Sequence, residues 1–358
     1  SNVADQLILN GGTLAASSSF TIGGTRGTQL GAGGGTIQTA SGTTLTMWSP
    51  ISGSGSLTKT GSGTLLLNSY NSFSGGLTIS EGSVTTSATA NRFNPGNSIS
   101  VANGASLEIN ASQSIGSLAG AGSVALTTGN LSIGGSSSTT FSGDISGNGG
   151  LIKSGNGTLT LTGINDYSGA TSVTAGQLVV GLGANGSAMD SSFTVSGTGT
   201  LSGSGSIGAL TVSTGGTVSP GNSPGILSSG DFSLSGGTLL AEINGTAAGT
   251  AYDQLNVSGT VSLAGILSLS LGFVPTENDI FFLILNDGTD AITGTFSGLA
   301  EGSLFASGGS TFRITYEADS ASAGFTSGND VAIMAVPEPT APLLCGLGAF
   351  AFLRRRRS

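Results

Sequence analysis

The sequence predicts an all-β protein built as a parallel β-helix, a solenoid whose successive coils stack on one another. Three observations lead there. The stretch from Ile145 to Gly181 repeats, without a gap, the stretch from Ile51 to Ser87. Within each copy, short alternating runs such as Thr158-Leu-Thr-Leu-Thr162 are separated by glycine turns, which is the period of half-buried strands and not of helices. Glycines recur where a coil must turn sharply with positive φ.

Aligned, the copies set Gly53, Gly55, Leu57, Lys59, Gly61 and Gly63 over Gly147, Gly149, Leu151, Lys153, Gly155 and Gly157. Asn71, Ser74, Gly75 and Gly82 then fall on Asn165, Ser168, Gly169 and Gly176. A sandwich or barrel also accommodates many short, evenly spaced strands. The approximate copies and the corner glycines favour the solenoid.

In chain order, Gln6 to Trp48 already carries the pattern in QLILN, SFTIGG, GTIQTA and TTLTMW. The first copy follows, and Asn91 to Asn97 reads as a less regular loop. Between Ser98 and Asp144 come SISVANG, ASLEIN, SVALTTG and NLSIGG; after the second copy, Phe193 to Gly259 continues in the same way. With about 22 residues per coil and a coil spacing of about 4.8 Å, residues 1–270 make on the order of 12 coils and a rod of roughly 55 Å. From about Leu271 the strands become longer and more aromatic, as in Asp279 to Asp287. A solenoid end exposes unpaired backbone and core, so 271–335 is expected to be a C-terminal β cap.

Residues 336–358 differ again. Val336-Pro337-Glu338-Pro339 breaks the sheet, because neither proline donates a ladder hydrogen bond. Thr340 to Leu353 is mostly apolar and Arg354 to Arg357 follow. This segment is expected to form a short hydrophobic helix of about 21 Å, less than the roughly 30 Å of a bilayer core. The arginines are expected to stay on the cytoplasmic side and to offset part of the mismatch by snorkelling.

Composition narrows the function classes. The 358 residues keep one texture to about residue 335, which favours one elongated body. Charged residues are only 8%, so Ser, Thr, Asn and Gly meet the water. The net charge is −9 although four of the nine bases are Arg354, Arg355, Arg356 and Arg357. A body so acidic lacks the footprint for neutralising phosphates, and nucleic acid is excluded as a partner. The one cysteine, Cys345, forms no intramolecular disulfide. The sequence opens at Ser1 without a methionine or a basic n-region, so the expectation is a removed signal peptide or a fragment.

Two resemblances sharpen this reading. Segments 51–87 and 145–181, with their SGxGxLxKxGxGTLxL core, resemble the autotransporter-associated β-strand repeat of large exported bacterial proteins. GSGSIGALTVSTGGTVSPGNSPGIL, YDQLNVSGTVSLAG and SGNDVAIMAV resemble the flanking regions of the same proteins. The resemblance implies a right-handed parallel β-helix displayed outside the cell. The tail, Val336-Pro337-Glu338-Pro339 followed by an apolar segment and Arg354 to Arg357, resembles the PEP-CTERM sorting signal. That implies export, transient anchoring in the inner membrane, processing by an exosortase-type enzyme, and delivery to the cell surface or extracellular matrix. Two features depart from these patterns: the apolar segment is short, glycine-interrupted and carries Cys345, and no C-terminal translocator barrel is recognisable.

The residues offer little catalytic chemistry. Without histidine there is no Ser-His-Asp or Cys-His system and no imidazole metal ligand. Parallel β-helices can degrade polysaccharides, so Asp144 and Asp166, with Lys153 between them, are weighed as a carboxylate pair and base. Pro50 and Ser72 hold the acids' places in the first copy, which favours solvated loop acids. Lys59 and Lys153 are read as consensus residues on a solvated face rather than as glycan ligands, and Asn71 and Asn165 as stacked turn residues. Ser327-Gly-Asn-Asp330 is half of a calcium-binding nonapeptide, without the tandem that such sites need. Leu343-Leu-Cys-Gly346 mimics a lipoprotein box at the wrong end of a chain. No catalytic, cofactor-binding or metal-ligating residue is therefore assigned, and no cofactor. The expectation is a non-enzymatic exported spacer, adhesin or biofilm component that meets extracellular polysaccharide. The alternatives are a polysaccharide-degrading β-helix in which acids converge with Arg26, Arg92 or Arg313, and the passenger fragment of a longer autotransporter.

Overall fold

The computed structural model describes residues 6–181, 188–189 and 191–337. Among these the secondary structure is strand throughout, with no helix. The alternation in the sequence becomes the two sides of a coil wall. In Thr158–Leu161 the two leucines are buried and the two threonines are half-exposed, and Thr44–Met47, Thr64–Leu67 and Ser106–Ile109 repeat the scheme. Each inward Leu, Ile or Val is stabilised by about 1.5–3 kcal/mol on leaving water, and each outward Thr or Ser keeps its hydroxyl hydrated.

The strands stack in parallel register on three faces. The first face opens with Leu7–Leu9, Thr28–Leu30 and Ile51–Gly53. The second runs Gly12–Ala16, Gly35–Thr39, Leu57–Thr60, Leu77–Ile79 and Ser98–Val101. The third runs from Phe20–Ile22 through Thr44–Met47 and Thr64–Leu67 to Ile145–Gly147. The result is a parallel β-solenoid. Hydrogen bonds from coil to coil join residues 18 apart at Thr128 and Asn110 and 29 apart at Thr260 and Asp231. That variation is absorbed at the corners. Thr171–Val180 and Phe193–Gly203 each bend round a corner without a break, so that Thr171 pairs with Leu151 on the first face while Gln177 pairs with Thr158 on the second.

The two sequence copies fold alike but do not share a phase. Ile51–Gly53 lies on the first face, paired with Thr28–Leu30, whereas Ile145–Gly147 lies on the third, paired with Val124, Ala125 and Leu126. Lys59 is likewise on the second face and Lys153 on the first. The copies are thus separated by a number of turns that is not whole. A coil with three short faces accepts the same local sequence at any of them.

Parallel pairing continues beyond residue 270, with Leu255 opposite Ile284 and Ser262 opposite Thr293. Ile280–Asn286 then carries an antiparallel neighbour, Asp330–Val336, which pairs in turn with Ser310–Ala318. Here the core is aromatic: the Phe281 ring lies edge-on to Tyr252, Phe273 and Phe312 at 5.5, 6.1 and 6.4 Å. Val336 is the last residue of its strand and Pro337 is exposed. The hydrophobic helix expected over Thr340 to Leu353 lies outside the described residues. No helix of the described residues is long and apolar enough to cross a membrane.

Candidate functional site

The repeat lysines are not on a solvated face. That expectation is corrected: Lys59 and Lys153 are buried, and both take inward positions in the coil wall. Lys59 stacks between Ile37 and Ile79, Lys153 between Ile133 and Val173. Their methylene stems fill core space and their ammonium groups turn to backbone carbonyls at a corner. Lys59 Nζ donates to the carbonyls of Thr60, Gly61 and Glu81 at 3.0, 2.7 and 3.1 Å. Lys153 Nζ donates to the equivalent carbonyls of Gly155 and Ala175. Burial lowers the Lys59 ammonium to about 8, partly offset by the Glu81 carboxylate; burial also lowers Lys153, where Ala175 stands in place of Glu81.

Asn71 and Asn165 are buried turn residues. The Ile51 N–H donates to Asn71 Oδ1 at 2.9 Å, and Asn71 Nδ2 donates to the carbonyls of Ser69 and Arg92. Asn165 repeats this with Ile145 and Gly163. Gln113, which the sequence reading passed over, does the same work on the next coils by accepting the Arg92 N–H and donating to Ala111. Its glutamine-for-asparagine chemistry was the available signal.

The weighed catalytic groups are not assembled. Asp144 and Asp166 are exposed on the coil exterior, and Asp144 Oδ1 accepts the Ile164 N–H at 3.0 Å. Lys153 lies on the inner side of the wall, bound to carbonyls. Arg92 holds the carbonyls of Thr89 and Asn68 at 3.2 and 3.1 Å. Arg313 sits 4.8 Å from the centre of the Phe325 ring, in the antiparallel strands. Arg26 lines a cavity of about 460 Å³ with Leu7, Leu14 and Phe20 at the first coils. These arginines are spread along the rod and do not converge on the two acids.

Of Ser327 to Asp330, Asn329 and Asp330 line a groove of about 580 Å³ between the corner ends of Ile226–Ser229, Gln254–Val257 and Ile280–Asn286 and the loop 319–330. The Asp330 carboxylate accepts the N–H of Asn286 and of Ser320, each at 2.9 Å, and so pins the loop to the solenoid. Asn329 Nδ2 adds bonds to the carbonyls of Asp287 and Asp290. Asp330 therefore spends both oxygens on backbone. Asn256 Oδ1 and Asn286 Oδ1, both at this groove, are buried and accept no hydrogen bond from the protein.

A second surface feature is one that patterning could not find. Trp48 and Tyr70 are 57% and 47% exposed, and they stand on adjacent coils at one corner. The Asn68 N–H donates to the Met47 carbonyl and Ser69 Oγ to the Trp48 carbonyl, which holds the two corner segments one above the other. Arg92 follows on the next coil.

Of the sorting-signal residues, Val336 and Pro337 are described; Glu338, Pro339, Arg354, Arg355, Arg356 and Arg357 lie outside the described residues, as does Cys345.

Residues 57–85 and 151–180 match the passenger-associated-transport repeat. These are the two lysine-bearing segments described above. The chain is 37% identical over 191 residues to the "Adhesin BmaC autotransporter" of Brucella suis biovar 1, covering 50% of this chain and 5% of that protein. It is 45% identical over 87 residues to the "Extracellular serine protease" of Serratia marcescens, covering 24% of this chain and 8% of that protein. The chain thus spans less than a tenth of the length of either curated relative. Each matched segment holds one buried lysine and one buried corner asparagine, Lys59 with Asn71 and Lys153 with Asn165.

Proposed function

We propose that this chain belongs to an exported, non-enzymatic surface or extracellular-matrix protein of the adhesin type, with the solenoid acting as a rod that presents its exterior to glycans or neighbouring cells. The observation that carries the reading is the continuous solenoid itself, whose two repeat lysines are used up inside the wall while hydroxyls and amides predominate outside. Likeness to a stretch of an adhesin autotransporter, through passenger repeats, supports the same reading. Right-handed winding and a capping role for the antiparallel strands near the C-terminal end belong to this proposal. So does sorting through Val336-Pro337-Glu338-Pro339 and Arg354 to Arg357 by an exosortase-type enzyme, with transient inner-membrane anchoring.

The test is attachment without turnover. Beads carrying the purified chain are expected to be retained on polysaccharide films or cell layers and to leave the polymer length unchanged. Depolymerisation of any such polysaccharide by the chain would end the reading. Mass spectrometry of the protein from its native cells tests the sorting step separately, since retention of Arg354 to Arg357 on the secreted form contradicts it.

A further inference from the structure

The chain has one tryptophan and four tyrosines. Tyr167, Tyr252 and Tyr316 are buried, as large aromatic rings in a β core should be. The two that remain, Trp48 and Tyr70, are both exposed and both fall at the same corner, one coil apart. Five residues of these types could have been exposed anywhere along the rod, so their coincidence at one place asks for a physical use.

The surroundings say what kind. Asn68, Ser69, Thr89 and Asn91 border the rings with hydroxyl and amide groups, all of them half-exposed or exposed. No acidic residue occurs between Thr44 and Ser80, in a chain with 18 acids, so no carboxylate of that stretch crowds the rings. A protein partner of ordinary affinity needs roughly 800 Å² of contact with a contiguous apolar centre, which two rings set singly among polar groups do not provide. Flat rings framed by hydroxyls suit sugar: a pyranose offers a C–H face to stack on the ring and peripheral hydroxyls to meet the frame. Met47 pairs with Leu67 and the Asn71 N–H donates to the Arg92 carbonyl, so Trp48 lies against Asn68 and Arg92 against Asn71, and Trp48, Tyr70 and Arg92 step diagonally from coil to coil.

Arg92 completes the diagonal. Its side chain is held by the Thr89 and Asn68 carbonyls, and its own carbonyl accepts two bonds from Asn71, both at 2.9 Å. A guanidinium has five N–H donors, so fixing two still leaves donors in a set position, with little entropy left to lose on binding. We propose that the corner bearing Trp48, Tyr70 and Arg92 is a binding site for a neutral glycan chain that crosses these three coils. This rests on the adhesin reading and gives it a site and a ligand class.

The single tryptophan makes the test direct, because emission excited at the red edge of the tyrosine band reports Trp48 alone. The chain is titrated with cellohexaose, laminarihexaose, mannohexaose and chitohexaose, and with polygalacturonate as the acidic comparison. At least one neutral hexaose is expected to shift or quench the emission saturably. Tyr70→Ala is expected to weaken that titration about tenfold or more, and Trp48→Ala to abolish retardation in gels cast with the matching polysaccharide. Ile164→Ala, at an exposed apolar residue elsewhere on the rod, is expected to change neither, and unchanged melting curves show that all three variants fold. Four results overturn the proposal: no response to any neutral hexaose, a response to polygalacturonate alone, an emission shift that follows protein concentration without sugar, or equal losses in Ile164→Ala and Tyr70→Ala. Attachment to polysaccharide films is measured in parallel. If both aromatic variants attach as the parent does, the site is wrong and the adhesin reading stands; if the parent attaches to nothing, that reading fails first.

Discussion

Lys59 and Lys153 hold the same place in the two passenger repeats and yet lie on different faces of the rod, each with its ammonium on the same two corner carbonyls of its own copy. Local sequence therefore fixes the coil geometry, while the phase around the axis is left free. Deleting residues 51–144 would bring Ile145 to the position of Ile51, and Lys153 would come to stack on Ile37 in place of Lys59. The deletion variant is expected to fold as a shorter rod with a β-type circular dichroism spectrum and a cooperative melt, as expected where each coil contacts chiefly its neighbours. An aggregated or unfolded product would show that phase matters after all.

The buried lysines differ in one respect that sets the size of their effects. Lys59→Met keeps the apolar stem and strips the donor from three carbonyls, each costing about 1–3 kcal/mol if it stays dry. The same change at Lys153 strips two, and it removes an ammonium that lacks the Glu81 counter-charge. Lys59→Met is therefore expected to lower the urea midpoint more than Lys153→Met does. Equal losses would argue that the stems, not the ammonium groups, are what the coil needs.

Much of the fold was legible in the sequence because period-2 alternation and corner glycine are local signals, and a solenoid is assembled from local rules. Burial of Lys59 was not, because the pattern counts Lys as polar and outward, whereas SLTKT simply continues the inward row Leu57, Lys59. A long stem with donors at its tip can fill an inward position wherever a corner supplies carbonyls. The paired exposure of Trp48 and Tyr70 was hidden for another reason: it depends on which residues become neighbours on adjacent coils, and coil length varies too much to count. Asp330 ends a calcium half-motif in the sequence, but its carboxylate instead ties the Ser320 N–H of its own loop to the Asn286 N–H of a strand 44 residues away.

Titration gives two opposed slopes. Lys59 is lowered to about 8 in the folded chain against 10.5 unfolded, so from pH 8 towards 10 the unfolded chain binds more protons and stability rises with pH. Above pH 10 the buried Tyr167 and Tyr316, pushed up to about 12 by burial, act in the other direction. Asp253 is raised by burial to about 6 against 3.8, so the folded chain holds the extra proton and stability falls as pH climbs through that window. Urea midpoints are expected to decline between pH 4 and 6 and to recover between pH 8 and 10. Asp253→Asn should flatten the first slope and Lys59→Met should reduce the second, with Lys153 supplying the remainder.

Gly53 and Gly147 mark where coils approach too closely for a side chain. Their φ values are +107° and +105°, and a Cβ would come within 2.1 Å of the Leu30 carbonyl oxygen and 2.3 Å of that of Leu126. Both carbonyls belong to the coil beneath, so relief would require a backbone shift that breaks ladder bonds. Gly12, in contrast, has ordinary φ, and a methyl group added there would meet nothing within 4 Å. Strain and overpacking together should make Gly147→Ala cost about 3 kcal/mol or more, while Gly12→Ala should be neutral or slightly stabilising through the unfolded state. The two midpoints, measured side by side in urea, separate close coil contact from glycine content as the reason these corners hold.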